Sequence, residues 1–200
     1  MSRIIMDETK NPWTVISKTT KYDNPWIRVD HHDVLNPGGG PGIYGTVHFK
    51  NIAAGIVPID EKGNVILVGQ YRFALGAYSW EIPEGGASKD IPVLESAQRE
   101  LREECGMVAE SWMEILGMDL SNSVSDESGT MYLAWNLSRT AAEPEETEQI
   151  QIAHVPFWEA VARVKRGEIR DSMSIGALLR VALMALQNEL PGEVAKAIKG

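Results

Sequence analysis

Glu100, Glu103 and Glu104 follow one another at offsets of three and four residues. On a helix, those offsets stack the side chains on one face within about one turn. Like charges placed this way repel by roughly a few tenths of a kcal/mol per exposed pair, so something positive must offset them. One candidate is a solvated, ion-paired face in which Arg99, four residues before Glu103, and Arg102 supply the charge. The other is a divalent cation, since clustered carboxylate oxygens are the hard ligands that Mg²⁺ and Mn²⁺ prefer. Gly85-Gly86 precedes the helix at a fixed distance from Arg99 and tips the reading towards the cation.

The surrounding elements must hold this helix in place. Pro92 suits its first turn, where the missing N–H costs nothing. Asp90 is placed to cap the helix or to favour its positive start, and Gly106 to end it in a left-handed conformation. Trp80-Glu81-Ile82-Pro83 reads as extended chain leading into the glycines. Upstream, the apolar run Asn51–Pro58, the turn Asp60–Asn64 and the strand Val65–Val68 suggest a hairpin. Before that, Trp13–Ser17, Trp26–Asp30 and Tyr44–Phe49 read as strands, with a turn over Asn36–Gly42. Downstream come strands near Met113–Gly117, Thr130–Leu137 and Ile150–Val155, with an acidic loop over Ala141–Gln149. Helices follow over Phe157–Gly167 and, as the last element, Ser174–Leu190. The mixture indicates an α/β or α+β domain.

The stretch from Gly85 to Met107 resembles the Nudix box, G-x5-E-x7-R-E-U-x-E-E-x-G-U, where U is a bulky aliphatic residue. Gly85 matches the first glycine, and Arg99-Glu100-Leu101-Arg102-Glu103-Glu104-Cys105-Gly106-Met107 matches every specified position of the second half. One position departs: Ile91 stands at the first glutamate, with Asp90 adjacent. Further segments resemble the ADP-ribose pyrophosphatase branch of that family. Trp80-Glu81-Ile82-Pro83-Glu84-Gly85 is similar to its E-L-P-A-G entry and Gln70-Tyr71-Arg72 to its Q-Y-R strand. Ser121–Glu127 stands where the branch often has S-P-G-x-x-x-E. Asn122 replaces the proline there that often accompanies ADP-ribose specificity.

The resemblance implies a Nudix fold, a mixed β-sheet sandwiched between helices, with a small N-terminal antiparallel sheet unit. It implies a dimerisation unit over residues 1–50 and a hydrolase domain over 51–200. It also implies hydrolysis of the pyrophosphate bond of a nucleoside diphosphate sugar, ADP-ribose or GDP-mannose, with two or three Mg²⁺ ions or Mn²⁺ in their place. Glu100, Glu104 and the backbone carbonyl of Glu84 are the implied metal ligands. Glu103 binds a second ion or positions water, and Arg99 orients the glutamates through an ion pair. Glu146 or Glu148 supplies the general base or completes the metal site. Arg72 and Glu81 are assigned to substrate, and Trp13 and Tyr44 to the base. A homodimer with swapped N-terminal strands is implied as well. Within the same family, an enzyme for other nucleotides and a catalytically silent ADP-ribose sensor are the competing readings. The Q-Y-R and E-I-P-E-G segments argue against the first, and the intact Glu100, Glu103 and Glu104 against the second.

A net charge of −9 and a pI near 5.0 argue against a general nucleic-acid binder. They leave phosphate substrates open, because bound cations reverse the sign of a carboxylate-rich pocket. No apolar run approaches the roughly 20 residues of a membrane helix, and Met1–Lys10 is polar and mixed in charge, unlike a signal peptide. A soluble, cytoplasmic protein is expected. The single cysteine, Cys105, excludes a disulfide within the chain and reads as a small buried residue. His31 and His32 have no partner at metal-ligand spacing and read as strand positions. Gly38–Gly42 lacks the Lys-Ser/Thr pair of a phosphate loop.

Overall fold

A computed structural model describes residues 10–140 and 149–199. The chain forms two compact units. The first runs to Lys50 and also includes Ser121–Asp126; the second comprises Asn51–Leu120 and the chain from Glu127 onwards.

The first unit is a three-stranded antiparallel sheet in the order β1-β2-β3, made of β1 (Thr14–Asp23), β2 (Ile27–Leu35) and β3 (Pro41–Phe49). The expected turn joins β2 to β3. Asn36 Oδ1 accepts the N–H groups of Gly38 (2.9 Å) and Gly40 (3.1 Å), and Gly39 takes φ +82°, which favours glycine. Because side chains alternate along a strand, Asp30, His32, Thr46 and His48 share one face, with Asp30 paired to Thr46 and to Thr20. Asp30 is fully buried and bonded to Lys18 (2.8 Å), Thr20 (2.7 Å), Arg28 (3.0 Å) and His48 (3.1 Å). Lys18, with Thr20 and Arg28, holds its carboxyl well below the usual range against the opposing effect of burial. His32 is a strand residue, as expected, but it does have companions. Antiparallel pairing brings His48 across to it, with Thr46 Oγ1 lying 3.0 Å from His32 and 3.2 Å from His48. Lys18 and Arg28 already neutralise the carboxylate of this group. The segment Ser121–Asp126 adds to the same sheet: Val47 N–H donates to Val124, and Asp126 accepts from Phe49 N–H and pairs with His48, all at 2.8 Å.

The second unit holds two sheets. One is mixed, in the order β7-β4-β9-β8: β4 (Asn51–Pro58) runs parallel to β9 (Ser128–Arg139) and antiparallel to β7 (Glu84–Ser88), and β9 pairs antiparallel with β8 (Met107–Asp119). The other is antiparallel, in the order β10-β5-β6, from β5 (Asn64–Arg72), β6 (Ala77–Glu81) and β10 (Gln151–Pro156). The hairpin expected over residues 51–68 does not form. After the single bridge Ile59–Val65, β4 and β5 part into different sheets, because each has both edges taken by other strands.

Strand alternation divides the core in two. Ala54, Ile56, Ile66, Val68, Tyr132 and Ala134 face helix α1 (Val93–Cys105), where Ala97, Leu101 and Cys105 are buried. Val57, Val65, Leu67, Met131 and Leu133 face α2 (Phe157–Arg166), α3 (Ser172–Gln187) and α4 (Gly192–Lys199), through Phe157, Ala177, Leu178, Val181 and Val194. A fully buried side chain such as Leu101 or Leu178 contributes about 1.5–3 kcal/mol. The sheets therefore lie between helices, as the fold class anticipated. The expected final helix ends at Gln187, where Asn188 takes φ +59°, and α4 follows beyond Pro191.

The two ends of α1 fare differently against expectation. Gly106 ends the helix in the left-handed region at φ +61°, as expected. Asp90 does not cap it. Helix begins at Val93, Pro92 occupies the capping position without a side-chain bond, and Asp90 N–H turns back to Ser88 Oγ at 3.3 Å.

Candidate active site

The α1 register and the turn after β6 converge on one corner of the second unit. The turn Ile82-Pro83-Glu84-Gly85 sits against β4, with Pro83 C=O accepting Ile56 N–H at 2.9 Å. Glu104 is 4% exposed, and its carboxylate accepts the Glu84 N–H at 3.0 Å. Glu100 folds over Gly85 so closely that a Cβ there would lie 2.1 Å from its carboxyl carbon. Glycine at position 85 is thus required for a close approach. Arg99 spans the outer edge, contacting Glu103, Glu100 at 2.5 Å and the Gly86 carbonyl at 3.4 Å. Burial lowers the Arg99 pKa, but Glu100 and Glu103 outweigh it and keep the guanidinium charged. The i,i+4 pair with Glu103 is therefore present, but Arg99 also bridges to Glu100 rather than only lining a solvated face.

A second group adjoins the first. Arg72, at the end of β5, grips Glu81 with two nitrogens (Nε–Oε2 2.9 Å) and reaches Glu84 Oε1 at 2.8 Å. Its charge is thus shared between two carboxylates, which raise its pKa over the opposing effect of burial. Carboxylate oxygens of Glu81, Glu84 and Asp171 lie within 4.8 Å of one another. Burial, then Asp171 and Glu81, push the Glu84 carboxyl well above its usual range despite Arg72. Its Oε2 is buried and lacks a hydrogen-bond partner. Glu127 is also raised, by burial and then by Asp171. An orphaned buried oxygen within a carboxylate cluster fits a hard divalent cation.

Of the residues singled out from the sequence, Glu84, Arg99, Glu100, Glu103 and Glu104 thus meet at one corner, with Arg72 and Glu81 attached through Glu84. Trp13 and Tyr44 meet each other in the first unit, edge to face at 5.4 Å, with the Tyr44 hydroxyl donating to Ser123 C=O at 2.6 Å. Glu146 and Glu148 lie outside the described residues. Sequence reasoning missed Asp171, which caps α3 by accepting Ser174 N–H at 2.7 Å. The Asp-x-x-Ser step into an apolar helix was the available signal. Away from this corner, a cleft of about 880 Å³ lies along the last residues of β9 and beyond the end of β4, lined among others by Asp60, Trp135, Arg139, His154 and Glu193.

The site is thus a glutamate-bearing helix docked onto a glycine turn at the edge of a mixed sheet that lies between helices. The chain belongs to the NUDIX family: the NUDIX domain matches residues 49–174, and the nucleoside diphosphate sugar hydrolase N-terminal domain matches residues 13–47. It is 36% identical to the ADP-ribose pyrophosphatase of Mycobacterium tuberculosis over 86% of this chain and 84% of that protein. Identity to the ADP-ribose pyrophosphatase of Bacillus subtilis is 30%, over 66% of this chain and 75% of that protein. A crystal structure of an ADP compounds hydrolase shares the fold, with a TM-score of 0.79 and 20% identity, covering 89% of this chain and 97% of that one. The chain is therefore a Nudix pyrophosphatase of the ADP-ribose pyrophosphatase branch. Enzymes of this family generally use divalent metals, and the acidic clusters provide oxygen ligands for them. Among the described residues, no helix is long and apolar enough to cross a membrane.

Proposed function

We propose that the protein hydrolyses the pyrophosphate link of nucleoside diphosphate sugars, with ADP-ribose and GDP-mannose as the leading substrates and Mg²⁺ or Mn²⁺ as cofactor. The observation that carries this reading is the convergence of Glu84, Glu100 and Glu104 at Gly85. Glu100, Glu104 and the carbonyl of Glu84 would hold a cation there, and Glu103 would hold a second or position water. Two or three ions are expected in all. When bound, they neutralise the phosphate oxygens that otherwise repel an attacking nucleophile and lower the pKa of water. Arg99 keeps Glu100 and Glu103 in place through the contacts described above. Glu146 or Glu148 takes the proton of the attacking water. The water oxygen bonds to phosphorus, the bridging P–O bond breaks, and a nucleoside monophosphate and a sugar phosphate leave. Arg72 and Glu81 contribute to substrate binding, for which Arg72 must share or exchange its carboxylate partners.

Trp13 and Tyr44 are assigned to the base, as a ready-made aromatic pair. The unit over residues 1–50 is assigned to dimerisation and the chain over 51–200 to hydrolysis. A homodimer with swapped N-terminal strands is favoured by the apolar side chains the first unit exposes, including Ile16, Trp26 at 67% and Ile43 at 72%. A cytoplasmic location accords with a single cysteine that is buried and whose thiol burial pushes up.

The test is a panel of ADP-ribose, GDP-mannose, other nucleotide sugars, dinucleoside polyphosphates and nucleoside triphosphates, incubated with Mg²⁺ and separated by chromatography. Release of a nucleoside monophosphate from nucleotide sugars, abolished by chelator, is the expected result. Turnover confined to dinucleoside polyphosphates or triphosphates would move the protein to another nucleotide. Binding of ADP-ribose with no metal-dependent turnover would make it a sensor.

A further inference from the structure

Each peptide of the Ile82–Glu84 turn is held by a different element. Pro83 C=O is tied to β4 through Ile56 N–H, and Glu84 N–H to α1 through Glu104. Ile82 N–H instead reaches 92 residues along the chain, to Ser174 Oγ in the first turn of α3, at 2.9 Å. Ser174 is fully buried beside Met173, Ala177 and Leu178 on the apolar face of that helix. A hydroxyl there is costly unless it is hydrogen-bonded. Its own N–H is fixed by Asp171, so the acceptor stands at a defined point on the helix start.

We propose that Ser174 is a positioning residue for the metal centre, setting the peptide orientation from which the Glu84 carbonyl is presented alongside Glu100 and Glu104. This rests on the reading that the Glu84 carbonyl is a metal ligand. Without the hydroxyl, the Ile82 N–H is left without its acceptor. The turn then rotates to find another, and the carbonyl two residues on shifts relative to the α1 carboxylates. Family resemblance to the box alone gives no sign of this, because Ser174 lies far outside it.

The decisive measurement is Mn²⁺ binding by electron paramagnetic resonance on the full chain, alongside thermal unfolding, for the parent, Ser174→Ala, Glu104→Gln and Glu193→Gln. Glu193 accepts from Trp135 and Asn136 at the distant cleft and serves as a control for general destabilisation. Ser174→Ala is expected to weaken Mn²⁺ binding about tenfold. Hydrolysis by that variant at saturating metal should stay within about threefold of the parent, a split that simple unfolding does not produce. Glu193→Gln should lower the thermal midpoint and leave Mn²⁺ affinity unchanged. If Ser174→Ala binds Mn²⁺ like the parent while Glu104→Gln loses it, Ser174 has no such role and the metal reading stands. Equal weakening in Ser174→Ala and Glu193→Gln also overturns the role. A parent that binds no Mn²⁺, or a Glu104→Gln variant that binds it undiminished, overturns the metal reading and the proposal together. Should Ser174→Ala lose its cooperative unfolding, Ser174→Cys, with a weaker and longer acceptor, is judged by the same criteria.

Discussion

At the scale of single residues, Gly85 and Glu104 make the sharpest demands. An alanine at position 85 must displace the Glu100 carboxylate, because its Cβ would overlap the carboxyl group. A shift of about 1 Å in a catalytic group costs on the order of 10²-fold in rate. Gly85→Ala should therefore lose about that much activity while its far-ultraviolet circular dichroism is unchanged. Glu104→Gln keeps an acceptor for Glu84 N–H but loses the charge, so hydrolysis should fall by about a hundredfold or more, measured as nucleoside monophosphate release. These residues were legible in the sequence, because helical offsets alone place Glu100, Glu103 and Glu104 together. Asp171 and Ser174 were not. They sit some ninety residues from Glu81 and Ile82, and only the docking of α3 joins them. Arg72 is legible as a charge, but its partners Glu81 and Glu84 come within reach only once β5 pairs with β6 and the turn after β6 is in place.

Among the elements, β4 is the one on which the site is mounted, and its close fit can be tested. A Cβ on Gly55 would meet Met131 Sδ at 2.6 Å, Ile82 Cδ1 at 3.0 Å and Met173 Cε at 3.1 Å. Each neighbour is a flexible tip, so Gly55→Ala should fold, but with about 1–3 kcal/mol less stability in urea unfolding. The apolar run of β4 was readable, but its partners were not. Sequence proximity suggested β5, whereas the chain spends both edges of β4 on β7 and β9. The start of α1 departs from the expected Asp90 cap for a local reason. Pro92 has extended ψ, 132°, so helix cannot begin until Val93, and Asp90 is left too far upstream to reach the first free N–H groups. The helix end was read correctly because Gly106 alone satisfies the left-handed stop.

For the molecule as a whole, the buried carboxylate of Asp30 predicts an acid response. Its pKa is depressed in the folded state, so the stability it contributes is present above the unfolded value of about 3.9 and is lost as pH falls below it. The stability gap between the parent and Asp30→Asn should stay level down to about pH 5 and narrow below about pH 4. Urea unfolding across that range measures it, and a gap that widens in acid would refute the assignment. The network was not readable, since it joins three strands and the segment Ser121–Asp126. That last attachment has a consequence for how the protein is made. The sheet that ends at Lys50 gains its closing segment only when the ribosome has added about 75 further residues. At about 5–20 residues per second, this is a wait of roughly 4–15 s. Throughout it, the nascent first sheet lacks the Asp126 carboxylate and the Val124 carbonyl that later hold its third strand, a window in which a chaperone or a neighbouring nascent chain has access to it.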